Sequence, residues 1–382
     1  MFSDLSTSIH DAAINYHITD SRLPFAEYVK HCQAIIENRR DNLGNHTVSP
    51  EKIILANSPF ECCPNDTQAK YGVLMIHGLL DCPFTYRELA AHLQTQGILS
   101  RAILLPGHGT KPSDLLKVSY HDWLQAVRYG IETLKQDVGH IYLMGYSTGA
   151  ALSLYHAMQD SRIAGTILLS PAIKVRTPVD LFASFFHLAN HFGKDRHWVY
   201  QVKEEDYVKY KSIPFNGVKQ VTRLTESVRE MRNKHPLHSP MYMVLSREDE
   251  TISSHDAIDF FTSQHHPDSR MLLYTSLDHT FPDSRIMTRK AVYTDINIAH
   301  MSHPALGFSP NNTHYGQQGE YPHASRRDKN YIYGAYNRIE MNIFDLLAKC
   351  KLTKAPRRVL TYNPDFENMA ASIGEFIKGK LQ

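Results

Sequence analysis

Gly145-Tyr146-Ser147-Thr148-Gly149 is a G-x-S-x-G element between an apolar run, HIYLMGYS, and a helix-like run, TGAALSLYHAMQ. A sharp strand-to-helix turn there lifts the serine Oγ off the sheet, and the two glycines leave room for close backbone passage. Unpaired N–H groups at the helix start face the same point and favour developing negative charge. Ser147 is the expected nucleophile. A second oxyanion donor is expected from a loop after an earlier strand. His77-Gly78-Leu79-Leu80 follows YGVLMI, so the backbone N–H groups of Leu79 and Thr148 form the expected pair. His77, directly before the glycine, reads as a loop-ordering residue rather than a base.

Such a nucleophile needs a base, and the base needs an acid to orient it. PMYMVLSREDE offers Glu248, Asp249 and Glu250 at the end of a strand-like run. MLLYTSLDHTF offers His279, and KAVYTDINIAHMSHPAL offers His300 and His303. Spacing does not choose among the histidines, because an excursion can separate any of them from the sheet. HDW, HHP and SHP give no zinc-ligand spacing, and no G-x-G-x-x-G is present. Neither metal nor cofactor is expected.

The elements that would carry these residues alternate. YGVLMIHG, SRAILLPG, HIYLMGYS, AGTILLSP and PMYMVLSR are short, nearly continuous apolar runs, and EKIILAN reads as a further, first strand. Runs of that kind bury both faces, which requires a sheet covered by helices. TYRELAAHLQTQG, HDWLQAVRYGIETLKQ and TGAALSLYHAMQD supply helices between them. The expected fold class is α/β, a mostly parallel central sheet flanked by helices. The strand rhythm lapses after Pro171 and resumes near Met241, so an insertion is expected over the carboxyl edge of the sheet, where sites of open α/β folds form. Residues 1–50 read as a helical extension, 51–171 as the first part of the core, 172–235 as a cap, and 236–382 as the second part with C-terminal helices in YIYGAYNRIEMNIFDLLAKC and FENMAASIGEFIKGKL.

The HGLL loop, the LPGHG stretch at 105–109, the GYSTG elbow and the strand-ended SREDE at 246–250 together resemble the α/β-hydrolase superfamily. The likeness is to its carboxylesterase and monoacylglycerol-lipase-like branch, which includes serine aminopeptidase relatives. It implies a cap on an α/β-hydrolase core and the chain order nucleophile, acid, histidine. On it Asp249 matches the acid position, and SHPALGFSPNNTHYG is similar to a segment of bacterial α/β hydrolases that puts His303 ahead of His279 and His300 as base. The implied reaction is hydrolysis of a carboxylic ester through an acyl-enzyme, with a thioesterase, a serine peptidase or a catalytically inactive binding protein as alternatives. Phe182, Phe185 and Phe186 in the insertion are the expected pocket for an apolar acyl chain, as of a monoacylglycerol or lysophospholipid, or else pack the cap onto the core.

Composition leaves this reading open and closes others. The chain has 382 residues, 42% hydrophobic and 21% charged, with a formal charge of only +2. Nucleic acid is not an expected partner; a small-molecule ester is. Twenty-three histidines make the charge strongly pH-dependent. No apolar stretch approaches the roughly 20 residues of a membrane span, and the first residues lack a secretory pattern, so a cytoplasmic location is expected. The five cysteines, Cys32, Cys62, Cys63, Cys82 and Cys350, have no disulfide or metal-ligand spacing.

Overall fold

Residues that bury both faces of a strand run through the centre of the sheet. In the computed structural model every residue of β3 (Ile98–Ile103) and of β8 (Met241–Ser246) is buried, and so is all but the first residue of β2 (Tyr71–Ile76) and β4 (His140–Tyr146). The structure describes residues 23–40, 48–64, 69–174, 197–232, 234–278, 280–321, 331–334 and 357–381. With β1 (Phe60–Cys62), β5 (Ile163–Leu169), β9 (Arg270–Thr275) and β10 (Ile286–Lys290), these strands form an eight-stranded sheet of order β1-β3-β2-β4-β5-β8-β9-β10. Only β1 pairs antiparallel; the remaining pairs are parallel. The expected α/β class and helix-flanked sheet are present.

Helices α3 (Arg87–Thr95), α4 (Tyr120–Leu134) and α5 (Thr148–Ala157) connect the parallel strands. The start of α4 is fixed by a reciprocal capping box between Ser119 and Asp122, which satisfies two N–H groups that a helix start otherwise leaves open. Its Trp123 is fully buried and donates Nε1–H to the Pro106 carbonyl at 3.0 Å. Burying each large side chain of such a helix stabilises the fold by about 1.5–3 kcal/mol.

EKIILAN is a helix, not the expected first strand. Ser49 caps α2 (Pro50–Asn57), with Pro50 in its first turn and Glu51 behind it. Ile53, Ala56 and Asn57 are buried while Leu55 is exposed, a period of three to four that the β-branched run disguised. The first core strand is the short Phe60–Cys62 instead. α1 (Phe25–Arg39) is helical as expected. Of the two expected C-terminal helices, the last forms as Phe366–Ile377. In the other segment Ile332–Gly334 is a strand, β11, parallel to β12 (Arg357–Val359), and residues 335–350 lie outside the described residues.

An insertion separates β5 from β8. It contains β6 (Trp198–Tyr200), which pairs antiparallel with β7 (Ile213–Pro214), and then an 18-residue helix, Phe215–Arg232. Between β6 and β7 runs a strap, residues 206–210, that lies against the core. Phe182, Phe185 and Phe186 fall outside the described residues. No helix among the described residues is long and apolar enough to cross a membrane.

Candidate active site

Strand register sets the site. Ile76 of β2 lies opposite Gly145 of β4, Tyr146 opposite Leu169 of β5, and Leu169 opposite Val244 of β8. The loops after β2, β4 and β8 therefore leave neighbouring strands at one edge. Ser147 stands at the β4–α5 turn with φ 54° and ψ −112°, a sparsely populated conformation that costs of the order of 1–3 kcal/mol. The turn is held by the Ser147 N–H, which donates to the Leu169 carbonyl at 2.9 Å, and by the Ser147 carbonyl, which accepts the Ala172 N–H at 3.1 Å. A Cβ on Gly149 would sit 1.9 Å from the Ile76 carbonyl oxygen, and one on Gly145 2.2 Å from Gly149, so both glycines are required by space.

The loop after β2 abuts this turn. A Cβ built on Gly78 would lie 3.3 Å from the Ser147 Cβ. The Asp81 N–H closes a turn onto the Gly78 carbonyl at 3.4 Å, and Leu80, its third residue, has φ 65°. Type II turns require that sign of φ at that place and usually fill it with glycine. No acceptor takes the Leu79 N–H among the described residues, and Thr148, first in its helix, has no intrahelical acceptor.

Two buried histidines order this loop. His77 Nδ1 lies 2.8 Å from the Gly78 carbonyl, while Nε2 accepts the Leu105 N–H at 3.0 Å. His108, from LPGHG, accepts the Leu80 N–H on Nε2 at 3.1 Å. Burial pushes His77 down to about 4 and His108 down to about 3, so both stay neutral and keep an acceptor nitrogen.

Asp249 follows β8 and is fully buried. Its Oδ1 accepts the N–H groups of Thr251 at 2.8 Å and Ile252 at 3.0 Å, which leaves Oδ2 for His303 Nδ1 at 2.7 Å. That bond places the imidazole proton on Nδ1 and leaves Nε2 as the basic nitrogen. Burial lowers the His303 pKa, but the charge and hydrogen bond of Asp249 outweigh it and hold the group above its ordinary value. The segment that carries His303 is not a strand. It is anchored by Ser246 Oγ to the Met301 carbonyl at 2.7 Å and by Ser302 Oγ to the Leu360 carbonyl at 2.5 Å.

The structure thus brings Asp249 and His303 together, and sets the Ser147 turn beside the Leu79 loop. His300 packs elsewhere: its backbone and ring lie 3.1–3.3 Å from where a Cβ on Gly334 would stand. His279 lies outside the described residues. Sequence reasoning missed two contacts that grip His303: the carboxyl group of Glu250, considered only as an alternative acid, accepts its N–H at 3.0 Å, and the Tyr146 hydroxyl donates to its carbonyl. Both residues lie inside the motifs already quoted, but nothing in the sequence assigned them this role. Among the described residues no group of three or more His, Cys, Asp or Glu side chains is arranged to hold a metal ion.

Residues 67–282 match the family Hydrolase_4, serine aminopeptidase S33. The chain belongs to this family. The match ends before His303. A thermostable monoacylglycerol lipase of Bacillus sp. (strain H-257) is 34% identical over 104 residues, which are 27% of this chain and 42% of that protein. The chain thus spans about two fifths of the length of that relative. Similar solved structures include one from work on the metagenome-derived lipolytic enzymes LipS and LipT, at 21% identity and TM-score 0.49, over 57% of this chain and 87% of the other. A monoacylglycerol lipase of Paleococcus ferrophilus is another, at 17% identity and TM-score 0.45, over 57% and 88%.

Proposed function

We propose that this chain is a serine hydrolase that cleaves a carboxylic ester through an acyl-enzyme, with Ser147 as nucleophile, His303 as base and Asp249 as the orienting acid. The observation that carries the reading is the link from the elbow to the base. Tyr146, the residue before Ser147, bonds the His303 carbonyl, its ring centroid lies 5.7 Å from the imidazole, and that imidazole is held by buried Asp249 through Nδ1.

In the proposed reaction His303 Nε2 takes the Ser147 hydroxyl proton as Oγ bonds the ester carbonyl carbon. The carbonyl electrons move to oxygen, where the N–H groups of Leu79 and Thr148 receive the charge. The C–O bond to the alcohol then breaks, and the alcohol leaves with the proton from imidazolium. Water, deprotonated by the same imidazole, attacks the acyl-enzyme, and the acid is released with Ser147 restored. Asp249 stabilises imidazolium throughout.

An apolar acyl ester such as a monoacylglycerol is the proposed substrate class, consistent with the activity for which the Bacillus relative is named. Residues 172–235 are proposed as the cap over it. The test is labelling with an active-site fluorophosphonate followed by peptide mass spectrometry, beside a panel of neutral ester, thioester and aminoacyl-amide substrates. The reading expects the adduct on Ser147, none in Ser147→Ala, and fastest turnover of esters. An adduct on another serine would overturn it.

A further inference from the structure

The insertion holds three successive residues of the loop that carries the Leu79 N–H. Leu79 packs its side chain under the start of the helix Phe215–Arg232, where a Cβ on Gly217 would stand 3.3 Å from Leu79 Cδ1. The Leu80 carbonyl accepts the Tyr210 N–H at 2.9 Å. Asp81 pairs with the Lys209 ammonium at 3.6 Å, with side chains only 6% and 19% exposed. Asp81 also accepts the Thr85 hydroxyl at 2.8 Å.

The strap behind these contacts is itself anchored. The Tyr207 carbonyl takes Asn57 Nδ2 at 2.8 Å and Arg40 Nη2 at 2.6 Å, and the Tyr210 hydroxyl accepts the Thr110 N–H at 2.7 Å. Lys209 also lies over rings of the segment after His303, 4.8 Å from the Phe308 centroid and 5.5 Å from that of Tyr315, and 6.0 Å from that of Tyr146 in the elbow. One ammonium group therefore stands within about 6 Å of the oxyanion loop, the elbow and the base segment.

Leu80 gives this arrangement a purpose. A leucine with positive φ is strained, and relaxing it to negative φ turns a type II turn toward type I, which rotates the Leu79–Leu80 peptide over. That rotating peptide is held by its own N–H, the Leu80 N–H, which His108 accepts, and the Leu80 carbonyl on the far side of the torsion is fixed by Tyr210. Donors fixed before attack are what an oxyanion site requires.

We propose that Lys209 is a positioning residue of the oxyanion site: through Asp81 it ties the strap to the 78–81 turn and keeps Leu80 left-handed, so that the turn on which the Leu79 N–H sits keeps its shape beside Ser147. The inference rests on the serine-hydrolase reading above. It makes the insertion a structural part of the oxyanion site and couples movement of the insertion to catalytic competence.

The test uses the full chain, p-nitrophenyl butyrate as a neutral ester, and an alkyl trifluoromethyl ketone that forms a hemiketal oxyanion. Lys209→Met keeps the length and packing of the side chain and removes its charge. It is expected to lower kcat about tenfold or more, below the cost of deleting a donor outright, and to weaken the ketone in parallel. KM stays within about twofold, the pattern of a lost interaction specific to the transition state. Lys209→Arg restores most of the loss. Leu80→Gly, which accepts positive φ without strain, recovers part of it in the Lys209→Met background. Unchanged kcat and ketone affinity in a folded Lys209→Met would overturn the inference, as would a loss confined to KM or to anionic esters, because then the cation contacts substrate. Ser147→Ala separates the two layers: if it abolishes turnover while Lys209→Met does nothing, only the positioning role falls. If Ser147→Ala keeps turnover, the hydrolase reading falls and takes this inference with it.

Discussion

Glu250 accepts the backbone N–H of His303 at 3.0 Å, one residue beyond the aspartate that holds the same histidine by its ring. Burial and the neighbouring charge of Asp249 push the Glu250 carboxyl up to about 8, against the pull of His303. The ordinary value of a glutamate is about 4.3. Across that interval the folded chain keeps a proton that the unfolded chain releases, so stability falls as pH rises from about 4 to about 8. Glu250→Gln keeps an oxygen for the His303 N–H and has no proton to lose. Its melting temperature is expected to gain on the wild type steadily from pH 5 to pH 8; parallel curves would remove Glu250 as the source of the slope.

The raised pKa of His303 sets a pH dependence for activity. A base must be neutral to accept the serine proton, so kcat/KM is expected to fall on the acid side with a midpoint above about 6.5, the ordinary histidine value. Asp249→Asn is expected to lose on the order of 10⁴-fold in kcat, and His303→Ala on the order of 10⁶-fold. His300→Ala, whose ring packs by Gly334, should keep most turnover. Rapid mixing with an activated ester decides, since loss of the acyl-enzyme burst in His300→Ala but not in His303→Ala would transfer the role.

Space at the elbow predicts a contrast between two glycines. Gly149→Ala drives a methyl to 1.9 Å from a backbone oxygen of β2 and is expected to destabilise by about 4 kcal/mol or more, in the range reserved for such clashes. Gly97→Ala, at φ 77° with nothing within 4 Å, meets only the left-handed penalty of about 1–2 kcal/mol. Urea midpoints of the two variants measure the difference, and equal shifts would refute it.

Asp206 lies buried against three partners, His314 Nε2 at 2.9 Å, the Tyr315 hydroxyl at 2.6 Å and Lys211 at 3.7 Å. Burial works against its charge, but the hydrogen bonds from His314 and Tyr315 and the charge of Lys211 hold its pKa well below the carboxylate range. Asp206→Asn is expected to cost about 3–5 kcal/mol at pH 7 by leaving buried partners uncompensated. A depressed carboxyl stabilises the fold above its unfolded pKa of about 3.9 and less as pH falls further. The gap to wild type in denaturant unfolding should therefore narrow below about pH 4. A gap that widens there would contradict the assignment of charge.

Local chemistry was legible wherever it obeyed a short period. The apolar runs at Tyr71–Ile76, His140–Tyr146 and Met241–Ser246 named their strands because both faces are buried, and Gly145 and Gly149 marked the turn around Ser147 because only glycine fits there. EKIILAN misled, since its β-branched residues resemble a strand while Ser49 and Pro50 start a helix. The meeting of Asp249 with His303, 54 positions away, had no local signature, because His303 sits in an irregular segment placed by Ser246, Leu360 and Tyr146 from three separate parts of the chain. The same holds for Lys209 and Asp81: each is an ordinary charged residue until the insertion folds back over the loop after β2 and removes both from water. Sequence determined which residue types could react and which strands would carry them; tertiary structure decided which side chains meet, because burial and hydrogen-bond geometry are properties of contacts between segments that no single segment contains.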